Sequence, residues 1–261
     1  MILEELKFNV EAKGVMVVET LRGEVDCNNN YSQWNLCDYT GDDALRVLDS
    51  RMAFCQEAGI ELDHLIMPRQ SHTTTVEIID QDFLDASIAE QDSRLENVDA
   101  LVTALPGVCI GVNTADCVPI ALADLEYGVT AIAHAGWRGT VGRIAKAVVK
   151  QMRKLGATPE NILVTMGASI CNDCFEVGDE VVQAFEHAGF EMSPIAHRNA
   201  ITGKAHINLQ EANRQVLIAA GVLDQNITLP SHCSRCESNR YFSARRLGID
   251  SGRTFTGIIK N

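Results

Sequence analysis

The sequence predicts one α/β domain over residues 1–261, with mixed β-sheets in layers flanked by helices. Between Asp99 and His134, short apolar runs follow one another closely, and several are apolar on both faces, as strands covered on both sides must be. On either side of that block lie segments with helical periodicity. No internal repeat, linker or low-complexity tract divides the chain.

Taken in order, Gly14 to Thr20 (GVMVVET) reads as a first strand, followed by a long polar loop from Leu21 to Leu36 of the kind that often carries function. Thr40 and Asp43 have capping-box spacing. Beyond them Ala44, Leu45, Val47, Leu48, Met52 and Cys55 keep a helical period that Gly59 ends. Asp63 to Met67 and Val76 to Ile79 read as strands, and Asp82 to Glu90 as a short helix. Strands follow at Asp99 to Thr103, Val108 to Asn113, Val118 to Asp124 and Val129 to His134. Thr140 to Leu155 aligns Val141, Ile144, Ala145, Val148, Met152 and Leu155 on one stripe, with Lys146, Lys150, Arg153 and Lys154 outside it. The remaining elements are a strand at Asn161 to Ala168, helices at Asp179 to Ala188 and Asn208 to Ala219, a short strand near Ile227 and a last strand at Thr254 to Ile259.

A formal charge of −13 argues against a general nucleic-acid or anionic-membrane binder, leaving room for a local basic pocket. No apolar run has bilayer length and the first residues, MILEELKFNV, are charged where a signal peptide is apolar, so a cytoplasmic protein is expected. Nine scattered cysteines lack the density of a secreted disulfide scaffold and read mostly as reduced thiols, with Cys55 and Cys109 as core packing.

The chemistry concentrates between Gly111 and Gly142. Cys117 and His134 stand at the ends of two neighbouring predicted strands, VPIALAD and VTAIAHA, and His72 follows the short apolar run Leu65 to Met67. Alone, a histidine or cysteine is more often a satisfied core group than a ligand. Together, one Cys and two His leave zinc one ligand short of tetrahedral, the composition of a catalytic rather than a closed structural site. The helix expected from Thr140 would turn its first N–H groups toward this region, favouring an anion. Arg138 is the best candidate to hold phosphate or another oxyanion; Arg22, Arg69 and Arg143 are weaker ones, balanced against solvated surface roles. Gln70, Ser71 and Asn113 are candidate substrate contacts by proximity, and Asp116, on the strand face opposite Cys117, reads as a brace. Two CxxC units, Cys171 to Cys174 and Cys233 to Cys236, would suggest a four-cysteine zinc site. Their separation far exceeds that of a zinc ribbon, so plain thiols or a partial disulfide are expected instead.

The segments NVDALVTALPGVCIGVNTADCVPIALAD, AIAHAGWRGTVGRI, CFEVGDEV and YFSARRLG resemble successive motifs of the laccase-domain family, the multicopper polyphenol oxidase-like proteins. TLRGEV and WNL resemble its N-terminal motifs, so the likeness spans nearly the whole chain. Members are described as purine nucleoside phosphorylases and as peptidoglycan editing factors. The resemblance implies an α/β fold similar to the catalytic domain of cytotoxic necrotising factor toxins, and His72, Cys117 and His134 as zinc ligands. It further implies phosphorolysis of adenosine, inosine or S-methyl-5'-thioadenosine, and deamination of adenosine. Zinc is the expected metal and copper the second choice, because seven histidines without a His-x-His pair cannot build a full laccase copper set. Leu247 stands where relatives carry an acid, which puts a contact there in doubt. The expected partners are a nucleoside and phosphate, not nucleic acid or membrane, with homodimer formation left open. A rival enzyme reading uses Cys117 as nucleophile and His134 as base in an amidase that edits peptidoglycan precursors of the UDP-MurNAc-amino acid type. A rival of another class is a zinc-stabilised binding protein without turnover.

Overall fold

The computed structural model describes residues 1, 3–26 and 28–261; Cys27, in the long loop after Leu21, lies outside the described residues. Three sheets are present. A six-stranded sheet has the order β13 (Ile227–Thr228), β9 (Leu163–Met166), β7 (Val118–Asp124), β8 (Val129–Ala135), β5 (Ala100–Thr103) and β4 (Val76–Ile79). Its outer pairs β13/β9 and β4/β5 are parallel and its inner pairs antiparallel, so the sheet is mixed. A five-stranded sheet runs β1 (Leu3–Leu6), β2 (Val15–Thr20), β14 (Thr254–Lys260), β6 (Cys109–Thr114) and β3 (Leu65–Ile66). A small antiparallel sheet joins β10 (Glu176–Val177), β12 (Ala205–Ile207) and β11 (Ala196–Arg198).

Side-chain alternation along the strands sets the layers. On one face of the six-stranded sheet, Val118, Ile120 and Leu122 of β7 and Ala131, Ala133 and Ala135 of β8 pack against α5 (Ile144–Lys154), α6 (Asp179–His187) and α7 (Leu209–Ala219). The other face turns Ala121, Ala123, Ile132 and Leu101 onto Val17, Ile110, Val112 and Ile258 of the five-stranded sheet. The outer face of that second sheet presents Val18, Cys109, Phe255 and Ile259 to Phe54 and Cys55 of α1 (Ala44–Ala58). The order of layers is therefore helix, sheet, sheet, helices. Strands β5 to β8 are buried along their whole length, as apolar runs without alternation require.

Several elements differ from expectation. The helix expected over Thr140 to Leu155 starts earlier and is broken: α4 (Trp137–Val141) stops at Gly142, and Arg143, at φ 67°, turns the chain into α5. A Cβ on Gly142 would lie 2.6 Å from Thr74, so the loop after His72 presses on this corner. Asp43 itself caps α1 through the amides of Leu45 and Arg46, and Gly59 ends the helix at φ 70°. The buried face of α1 is Val47, Ser50, Phe54 and Cys55, while Leu45, Leu48 and Met52 are exposed; two apolar arcs compete, and edge-to-face packing of Phe54 on Phe255 at 4.9 Å decides between them. Of Asp63 to Met67, Asp63 and His64 end a 3₁₀ turn (Leu62–His64) and only Leu65 and Ile66 are paired as a strand. The short helix near Asp82 is two, α2 (Gln81–Asp85) and α3 (Ile88–Leu95), and α8 (Ala244–Leu247) follows the YFS motif. Among the described residues no helix is long and apolar enough to cross a membrane.

Candidate metal centre

Strand register delivers the site. Val118 of β7 pairs with Ala135 of β8, and Pro119 with His134. Cys117, one residue before β7, therefore shares the inter-sheet face with His134 and sits diagonally across from it. His72 comes from the loop after β3, held at φ 64°, a left-handed conformation uncommon for a non-glycine residue. The three ligand atoms lie within 4.8 Å of one another. His72 Nε2 is 3.9 Å from Cys117 Sγ, and the two imidazole rings are 4.8 Å apart, edge to face. His134 is buried, Cys117 half-buried and His72 exposed, so the centre opens to solvent on the His72 side.

One further residue organises this group, and sequence reasoning took it only for the start of a strand. Asp99 precedes β5, whose Ala100 pairs with Ala133, so Asp99 falls opposite His134 and its carbonyl accepts the His134 amide at 2.8 Å. The Asp99 side chain is fully buried. Its carboxylate accepts from His134 Nδ1 at 2.7 Å, from the amides of His72 at 3.0 Å, Thr73 at 2.6 Å and Ser71 at 3.2 Å, and from the Thr73 hydroxyl at 2.8 Å. Burial alone would raise its pKa, but His134 and these donors outweigh it and hold the group at about 2. One carboxylate thus fixes the orientation of His134 and the backbone of the His72 loop together. With Nδ1 committed to Asp99, His134 keeps Nε2 for the centre.

Electrostatics at the centre favour a thiolate. Burial opposes charge on Cys117, yet His134 beside it, with hydrogen bonds from both imidazoles, brings the thiol well below its ordinary value. His134 moves the opposite way: burial disfavours its cation, and the facing Cys117 sulfur and Asp99 carboxylate overcome that. Two nitrogens and a deprotonated sulfur suit zinc, and the group of three leaves an open position, which fits a catalytic rather than a structural metal. Gly136 is required by the crowding, because a Cβ there would stand 2.9 Å from both Cys117 Sγ and His72 Cδ2. It also precedes α4, whose Thr140 hydroxyl bonds back to the Gly136 carbonyl and accepts from Asn213 of α7.

The other candidate residues have distinct placements. Arg138 is exposed on α4 and stacks on Trp137 at 4.3 Å. The helix expected to aim its first turn at the site from Thr140 is the single short turn of α4, which begins at Trp137. Arg22 is buried, with its guanidinium bonded to the Ser32 hydroxyl and the Ser238 carbonyl and lying over Phe242. Arg143 donates to the Ala188 carbonyl at 2.6 Å and packs on Phe190. Gln70 exchanges two hydrogen bonds with the backbone of Asn113, at 2.8 and 2.9 Å. Ser71 lies exposed beside His72, and the buried Asn113 side-chain oxygen has no partner. Asp116, at φ 93°, accepts from the Ser234 hydroxyl and the Arg245 amide, bracing the turn into Cys117. A cleft of about 1020 Å³ is lined among others by Tyr39, His64, Met67, Arg69 and Asn113, and by none of His72, Cys117 and His134. The two CxxC units, expected as plain thiols or a partial disulfide, are free thiols that meet: Cys171, Cys174, Cys233 and Cys236 bring their sulfurs within 4.8 Å of one another.

The family model described as multi-copper polyphenol oxidoreductase laccase matches residues 16–261. Over 258 residues, 99% of this chain and 98% of the relative, the sequence is 59% identical to adenosine deaminase RL5 of an unknown prokaryotic organism. It is 40% identical to a purine nucleoside phosphorylase of Bacteroides thetaiotaomicron, over 88% of this chain and 86% of that one. The crystal structure of YlmD from Geobacillus stearothermophilus superposes with a TM-score of 0.86 at 29% identity, covering 96% of this chain and 93% of that one. Despite the family's title, the His, Cys and acidic groupings able to hold a metal among the described residues are the His72, Cys117, His134 set and the four-cysteine set, neither of which is a multi-histidine copper cluster. The chain belongs to the multi-copper polyphenol oxidoreductase laccase family.

Proposed function

We propose that this chain is a zinc-dependent enzyme of purine nucleosides, replacing the amino group of adenosine with oxygen and cleaving adenosine, inosine or S-methyl-5'-thioadenosine with phosphate. The observation that carries the reading is the convergence of His72, Cys117 and His134 around Gly136, backed by Asp99 and open on one side. Names borne by relatives at 59% and 40% identity point to the same two reactions. When bound, the metal supplies Lewis acidity that activates an oxygen nucleophile near neutral pH. Asp99 keeps His134 in one orientation through the reaction. Arg138, with its guanidinium on the surface of α4, is the residue proposed to hold phosphate, and the cleft beside Arg69 and Asn113 the place proposed for the nucleoside. The test is incubation of wild type and Cys117→Ala with adenosine, with and without phosphate, and separation of the products. Inosine formed without phosphate, adenine formed only with it, and loss of both in the variant would support the reading. A metal-loaded protein that turns over no purine nucleoside would sink it.

A second reading rests on the placement of the Cys117 sulfur within 4.8 Å of the His134 imidazole, whose Nδ1 is held by the Asp99 carboxylate, an arrangement that draws the thiol down and the imidazole up. That arrangement is competent for amide hydrolysis through a covalent thioester. Cleavage of a UDP-MurNAc-amino acid by chelator-treated protein, abolished by Cys117→Ser, would favour it over the zinc reading. Hydrolysis that depends on added metal would count against it.

A further inference from the structure

The four remaining clustered cysteines play no part in the chemistry above. Cys171 precedes and Cys174 ends a 3₁₀ turn, Asn172–Cys174, and Cys233 and Cys236 lie in a second turn 62 positions further on. A parallel bridge lays the two segments side by side: the Ser169 amide donates to the His232 carbonyl at 3.4 Å and the Ser234 amide to the Ser169 carbonyl at 3.2 Å. The turns then present all four sulfurs to one point, mutually within 4.8 Å, with Cys174 and Cys236 only 3.4 Å apart.

We propose that Cys171, Cys174, Cys233 and Cys236 hold a second, structural zinc ion. Zinc–sulfur bonds of about 2.3 Å in a tetrahedron place sulfurs on the order of 3.8 Å apart, the scale of this cluster, whereas a disulfide needs about 2.05 Å. Two of the sulfurs already accept from donors that would remain beside a metal-bound thiolate. The Cys171 amide donates to Cys233 Sγ at 3.3 Å and the Arg235 guanidinium to Cys174 Sγ at 3.4 Å. Arg235 also offsets part of the net negative charge that four thiolates leave on a divalent ion. On binding, the thiols release their protons to solvent and four Zn–S bonds form, with no change of oxidation state. Four protein ligands close the coordination sphere, so this ion takes no part in turnover.

Its place gives it a positioning role. The clipped segments supply the Ile170 amide to the Asp116 carbonyl and the Ser234 hydroxyl to the Asp116 carboxylate, immediately before Cys117. The zinc clip therefore fixes the back of the turn that presents the catalytic-centre thiol.

Elemental analysis of the full chain tests the proposal without reference to activity. Wild type should carry about two zinc equivalents, His72→Ala/His134→Ala about one, and the latter with Cys174→Ser/Cys236→Ser added none. Cobalt(II) loaded into His72→Ala/His134→Ala should show sulfur-to-metal charge transfer and strong tetrahedral ligand-field bands. That experiment stands even if the cysteine variant fails to fold. The proposal is overturned if His72→Ala/His134→Ala binds no metal, if its cobalt spectrum lacks thiolate charge transfer, or if the intact mass of freshly purified protein shows these cysteines paired as disulfides.

Discussion

Asp99→Asn removes the charge that ties His134 to the His72 loop and changes little in volume. The asparagine amide can still accept at one end, but its other end is a donor that faces either the amides of Ser71 and Thr73 or the His72 amide with His134 Nδ1, so at least one N–H is stranded. The native shift from 3.8 to about 2, at about 1.4 kcal/mol per unit, amounts to about 2.5 kcal/mol, and the stranded donor adds about 1 kcal/mol. At roughly 2 °C per kcal/mol for a chain of this size, Tm should fall by about 7 °C. Zinc affinity should fall about 10–100-fold, because the ligand loses the partner that orients it. Calorimetry of chelator-treated protein reads the first quantity, and competition with a chromophoric chelator the second. The sign in pH is fixed: a depressed carboxylate contributes fully above its unfolded value of 3.8 and loses that contribution as pH falls through about 2. The wild-type advantage over Asp99→Asn must therefore shrink between about pH 5 and pH 2. Unchanged zinc affinity together with an unchanged Tm would refute the assignment of Asp99 as organiser of the centre.

Other positions make separable predictions. Burial raises Glu19 to about 7 against the opposing bonds from the Ala168 amide and Thr256 hydroxyl. Its contribution is complete below pH 4.5 and is lost by about pH 7, a cost of about 3 kcal/mol. Glu19→Gln should thus flatten denaturant-measured stability across that window, and an identical slope in both proteins would count against the argument. Gly136→Ala, whose Cβ collides with Cys117 and His72, should keep its circular dichroism but lose zinc affinity; full zinc binding would show that the ligands can spread. Arg138→Ala should raise the KM for phosphate at least about 10-fold while stability stays within about 0.5 kcal/mol and deamination is untouched. Arg22→Ala, by contrast, should lower stability by about 3 kcal/mol through the loss of buried, charge-assisted bonds to Ser32 and Ser238; a change confined to KM would instead place Arg22 at the substrate.

His72, Cys117 and His134 were legible because soft and borderline ligands are rare enough to be noticed at the ends of apolar runs. Asp99 was not, because an acid before a strand is commonplace and its meaning depends on the β5/β8 register, which one strand's composition does not encode. The nearness of the two CxxC units was hidden for a related reason: chain separation says little once a bridge such as that between Ser169 and Cys233 exists. β7 and β8 could be bounded closely, since each is a seven-residue, mostly apolar run, while β10, β11 and β12 are too short to show a period. The kink at Arg143 escaped notice because the apolar stripe continues across it, and only the pressure of the His72 loop on Gly142 reveals the break.

The place of β14 has a consequence for biosynthesis. Residues 254–260 form an interior strand between β2, near the N-terminus, and β6. All strands of the six-stranded sheet, together with His72, Cys117 and His134, lie before residue 229 and can assemble while the ribosome is still at work. The five-stranded sheet cannot close until residue 260 is free. Until then β2 and β6 each expose one unpaired edge and the apolar layer between the sheets stays open, which makes the pairing of β14 the step that closes the molecule.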